Sequence, residues 1–125
     1  MAIPPSNDLA ADQVKLGQGI QAIGADVIGI QEVDEKLARS GNISQTKLIS
    51  EAMGTRHWGF APVIIGEPGS KWRKLDSFDF AIITEENCEQ SSEGSYGIGI
   101  VSKIPVVHWD RLELGKSVFG MPLVI

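Results

Sequence analysis

Cysteine is nearly missing from this 125-residue chain: Cys88 stands alone, so no internal disulfide can form. No apolar run approaches the roughly 20 residues that a membrane-spanning helix needs. There is no internal repeat and no low-complexity segment. Cations are outnumbered, with 11 Lys and Arg against 16 Asp and Glu and a formal net charge of −5. Tight, non-specific nucleic-acid binding leaves a basic footprint, so nucleic acid is a disfavoured partner. Met1-Ala-Ile-Pro-Pro-Ser-Asn7 has neither a basic segment nor a long apolar one and does not read as a signal peptide. With the lone cysteine, this gives the expectation of a cytoplasmic protein.

What is present is an ordinary globular mixture, 42% apolar and 22% charged, of a length that suits one domain over residues 1–125. Leu16, Ile20 and Ile23 recur at helical spacing, which predicts a helix from about Asp8 to Ile23, capped by Asn7 or Asp8 and stopped by Gly24. Asp26 to Gln31 is short, β-branched and apolar and reads as a buried strand; Val33 to Gly41 is polar and loop-like. Asn42 or Ser44 caps a second helix whose apolar face is Leu48, Ile49, Ala52 and Met53 and whose end is Gly54. Further strands are expected at His57–Ala61, broken by Pro62 and resumed at Val63–Ile65, then at Phe78–Thr84, Tyr96–Ser102 and Ile104–Trp109. Arg111–Leu114 can prolong the last of these, and Pro122–Ile125 is a strand-like apolar end. Helix, strand, helix and then several strands predict an α/β fold, a mixed β-sheet with helices packed on one face.

Strand alternation places Ile28, Ile30 and Glu32 on one face, with Glu32 at the strand's carboxyl end, where open α/β sheets place ligands. Mg²⁺ takes one or two protein carboxylates and completes its shell with water and phosphate oxygens. Pattern alone leaves Glu32 either such a ligand or a solvated strand-end acid.

The segment Ala25-Asp-Val-Ile-Gly-Ile-Gln-Glu-Val-Asp34 resembles the metal-ligand motif of the endonuclease/exonuclease/phosphatase superfamily, in which a strand ends in Leu-Gln-Glu-Val. The preceding helix, Asp12 to Ile23, resembles the helix that introduces that strand; Arg39-Ser-Gly-Asn-Ile-Ser-Gln45, followed by the Lys47–Met53 helix and Trp58-Gly-Phe-Ala-Pro62, is similar to one bacterial branch. Tyr96-Gly-Ile-Gly-Ile-Val-Ser-Lys-Ile-Pro-Val106 resembles the next core strand, with the likeness extending over most of residues 12–114. The resemblance implies that the complete protein is an Mg²⁺- or Mn²⁺-dependent phosphoester hydrolase with Glu32 holding the metal and Tyr96 in reach of a phosphate; Arg39 is a loop cation that can contact an anion. It also implies half of an α/β/β/α sandwich, an expected partial domain truncated at both ends and inactive alone; its single carboxylate leaves the metal weakly held.

The sequence departs from that pattern in several places. The opening strand with its asparagine and the later Gly-Asp-x-Asn and Ser-Asp-His motifs do not occur in residues 1–125, and Ile98 stands where asparagine is frequent. His57 and His108 fall in strand-like runs away from the histidine motif. A second expectation therefore stands beside the first: a non-catalytic half-domain that self-associates through a sheet face bearing Ile100 and Val107. Gly97-Ile-Gly99 leads into a strand rather than a helix, and neither it nor Gly17-Gln-Gly19 is followed by the Gly-Lys-Ser/Thr or third glycine of a phosphate loop. Lys71-Trp-Arg-Lys74 is either a stacking patch for an anionic partner or a solvated loop.

Overall fold

The computed structural model describes residues 9–90, 93–116 and 122–124. Helix α1 (Leu9–Ile23) ends at Gly24, whose φ of 65° is the left-handed conformation that stops a helix. The expected cap at Asn7 or Asp8 lies outside the described residues. Ile20 is buried and Leu16 packs against the core, whereas Ile23, expected on the same apolar stripe, is 60% exposed because the helix is ending there. Helix α2 (Gln45–Met53) starts as its sequence indicates: the Ser44 hydroxyl accepts the Lys47 N–H at 3.2 Å, and Gly54 closes the other end with φ of 70°.

Strand β1 (Val27–Glu35) runs well past the expected end of the strand, through residues whose charge made them look like loop. Strand β2 (His57–Gly66) passes straight through Pro62, which sits at an irregularity in the ladder where its missing N–H is tolerated. Strands β3 (Trp72–Arg73) and β4 (Ile83–Thr84) are two residues each, and β5 (Ser95–Ser102) is the central strand. A separate ribbon pairs β6 (Glu113–Lys116) with β7 (Pro122–Val124). The main sheet has the order β1-β5-β2-β3, with β4 also on β2. Each of these pairings is antiparallel, so the sheet is not the mixed one the sequence suggested. Of Phe78–Thr84 only Ile83–Thr84 is strand; Phe78 to Phe80 form a turn, and β3 and β4 pair with opposite ends of the outer edge of β2. Ile104–Trp109 forms no strand, leaving His108 exposed next to Asp110 at 3.1 Å.

The α/β arrangement itself is as expected: two helices lie on one face of the sheet, and the core sits between them. Ile30, Val33, Trp58, Phe60 and Val101 project from the sheet to meet Ile20 and Ile49. Burying each such side chain contributes about 1.5–3 kcal/mol. Helix and sheet approach closely at Gly99, where an added Cβ would fall 2.6 Å from Thr46 Oγ1, so Gly99 is a seat for α2. The opposite face is partly covered by the segment after β5, which lays Trp109 on Gly59. Ile100 remains 43% and Val107 98% exposed, although Val107 belongs to that covering segment and not to the sheet. No helix among the described residues is long and apolar enough to cross a membrane.

Candidate functional site

Glu32 owes its position to a break in β1. Ile30 pairs with Gly99 and Val33 with Gly97, so Gln31 and Glu32 together oppose the single residue Ile98. This is a β-bulge, and Glu32 takes φ of 54°, a left-handed conformation uncommon for a residue with a side chain. The extra residue shifts the alternation. Ile28 and Ile30 face the helices, Val33 and Glu35 continue that face, and Glu32 leaves it and is exposed. The sequence had placed Glu32 with the isoleucines at the end of the strand. It lies instead at a kink three residues before the end, a place where bulges commonly re-aim a side chain.

Downstream, the chain returns over the open face. A 3-10 turn at Ala38–Ser40 is anchored by buried Leu37 and closed by Gly41. Backbone bonds from Lys36 to Ile43 (2.8 Å) and Asn42 to Leu37 (3.0 Å) tie its base. The turn sends Arg39 back to Asp34, which it grips with two parallel bonds, Nε to Oδ2 and Nη2 to Oδ1, both 2.8 Å. The Ser40 hydroxyl donates to the same carboxylate, and the Asp34 N–H donates to Gln45 Oε1 at 2.7 Å. The Asp34 hydrogen bond, more than any other contact, holds the Arg39 guanidinium more basic than usual. Its outer edge meets Glu67 only loosely, with Nη1 at 3.8 Å.

Tyr96 is the register partner of Asp34, so both project from the open face. The Arg39 guanidinium lies 5.7 Å from the centre of its ring. Burial raises the Tyr96 phenol, and the neighbouring Glu32 carboxylate raises it further, because a phenolate beside that charge is disfavoured. Glu32, Tyr96 and Arg39, separated by up to 64 positions, therefore share one corner of the sheet. Asp34, only a minor candidate in the sequence, is the residue that fixes Arg39. Its signal was the Arg39-Ser40 pair five and six positions on, legible only once a turn folds them back.

As a metal site this corner offers one ligand. Glu32 is an exposed carboxylate, while both oxygens of Asp34 are already taken. Among the described residues there is no cluster of three His, Cys, Asp or Glu side chains. That donor set fits a divalent ion whose remaining shell is water and phosphate oxygen. His57 begins β2 and pairs with Ser102, at the far end of β5 from Tyr96, and His108 is solvent-exposed outside the strands.

Two other features are set by contacts the sequence did not show. Glu35 is completely buried on the helix face, opposite Ser95, and neither carboxylate oxygen has a hydrogen-bond partner. Burial pushes its carboxyl upward; the nearby Ser44 hydroxyl offsets this only in part and closes no well-formed bond, and Lys36 and Lys47 pull the same way. Arg73, from the basic Lys71–Lys74 run, is tied to Asp79 at 2.7 Å and Glu93 at 2.6 Å, so its charge is spent within the chain. Comparison with protein-family models, curated proteins and solved structures returns no match.

Proposed function

We propose that the Glu32 corner is the metal- and phosphate-binding part of a Mg²⁺- or Mn²⁺-dependent phosphoester hydrolase site. The observation that carries this reading is the bulge. A carboxylate held in a strained left-handed conformation, exposed and beside a tyrosine and an arginine, is costly to the fold, by about 1–3 kcal/mol. Strain of that kind is retained where a side chain must be aimed. In this reading Glu32 supplies the single protein ligand, and a bound ion would polarise the phosphoryl group and offset charge on the leaving oxygen. Arg39, oriented by Asp34, presents its outer edge to a phosphate oxygen in exchange for the loose Glu67 contact. The Tyr96 hydroxyl, kept protonated by its surroundings, donates a hydrogen bond to the same group. The phosphoester remains unspecified, since none of these contacts reads more than the phosphate. Hydrolysis of a generic phosphodiester with Mg²⁺, compared between the chain and Glu32→Ala, tests the reading. Equal background rates would remove it for this chain.

The exposed apolar residues Val27 and Ile100 on the open face favour a second reading, a non-catalytic domain that pairs through that face. Sedimentation separates the two: this second reading requires a concentration-dependent dimer, weakened by Ile100→Lys.

A further inference from the structure

The chain holds a second candidate site away from Glu32, between β2 and the loops that follow β3 and β4. A cavity of about 470 Å³ opens there, within the size range of small-molecule sites. One wall is apolar, built from Ile65, Ile82 and Phe78, the last of which is 90% exposed. The rim is acidic: Asp76, Asp79 and Glu93 stand against the single guanidinium of Arg73, a surplus of two negative charges. Arg73 is no anchor for an anion, since Asp79 and Glu93 already hold it at 2.7 and 2.6 Å and Asp76 is 3.7 Å away.

An acidic rim alone would mean little, because such clusters are usually solvated. The independent feature is Ser95. It lines the cavity beside its register partner Ile65, is 1% exposed, and its hydroxyl has no hydrogen-bond partner. Directly opposed residues project from the same face, so Ser95 points the way Ile65 does, into the cavity. A buried hydroxyl left unpaired is a cost to the fold, and a ligand atom reaching the floor would offset it. We propose that this cavity binds a small organic cation, an ammonium or amidinium carried on an apolar body. The body packs on Phe78 and Ile82, the cation meets the surplus carboxylate charge, and a polar atom reaches the Ser95 hydroxyl.

Titration with phenethylamine, followed by amide chemical shifts, tests this directly, with phenylethanol and phenylacetate as neutral and anionic controls of the same shape. The expected result is saturable shifts around Ile65, Ile83 and Ser95 for the amine only. Affinity should fall at least threefold in Asp76→Asn, and the response should weaken at high salt. Ser95→Ala should weaken binding while leaving the fold at least as stable, which separates loss of the ligand contact from misfolding. Equal binding of the alcohol, preferred binding of the acid, no saturation, or affinity unchanged in both variants would each overturn the proposal.

Discussion

Glu35→Gln isolates the energetic consequence of a buried carboxyl. In the native chain both oxygens of Glu35 lie out of water without partners, and desolvation is the chief cause of its raised pKa. The folded state therefore keeps a proton that the unfolded chain releases above its ordinary value of 4.5. Stability from this group is complete below that pH. It declines as pH rises toward the elevated folded value, because the unfolded state there binds fewer protons. One proton gives a maximum slope of about 1.4 kcal/mol per pH unit. Above the folded value the loss is constant. Glutamine has the same shape and no charge, so its stability does not fall through that window. Every other carboxylate contributes to both proteins and cancels in the difference. Urea unfolding of the two chains from pH 4 to 8 should show near-equal stability at the acid end and a growing advantage for Glu35→Gln above it. A flat difference curve, or a variant that loses ground as pH rises, would refute the assignment of Glu35 as a buried carboxyl with a raised pKa.

Other substitutions test the site and its supports. Glu32→Gly relieves the left-handed strain, so unfolding should show stability equal to or up to about 1 kcal/mol above the parent, whereas Glu32→Val should lose at least that much. Asp34→Ala strands Arg39 and Ser40. With the Arg39 side chain 32% exposed and partly screened, a loss of about 2 kcal/mol is expected by denaturation, and the Arg39–Tyr96 contact should become mobile by NMR. Gly99→Ala drives a methyl into Thr46 and should cost about 1–3 kcal/mol, partly restored by adding Thr46→Ala.

The helical half of the fold was legible because its signals are local. Ser44 and Gly54 mark the ends of α2 in the sequence and do so in the structure. The sheet was less so, since pairing depends on residues far away. The bulge at Gln31–Glu32 exists only in relation to Gly97 and Gly99 on β5, and without it the alternation puts Glu32 on the wrong face. Asp34 and Glu35 read as loop because they are charged. One is buried through Arg39 and Ser40, and the other is buried with no hydrogen-bond partner and only partial offset from Ser44, Lys36 and Lys47. Phe78–Thr84 has the composition of a strand, but only Ile83–Thr84 pairs, against Gly59 and Phe60 of β2. Of the site, Glu32, Arg39 and Tyr96 were visible as residue types, while the Asp34 clamp that orients Arg39 was not.

The most direct test of Glu32 as a metal ligand is paramagnetic broadening of amide signals by Mn²⁺. The account requires weak, saturable broadening centred on Glu32, Val33 and Tyr96, competed by Mg²⁺ and lost in Glu32→Gly, which keeps the fold. Broadening centred elsewhere, or unchanged in that variant, would contradict it.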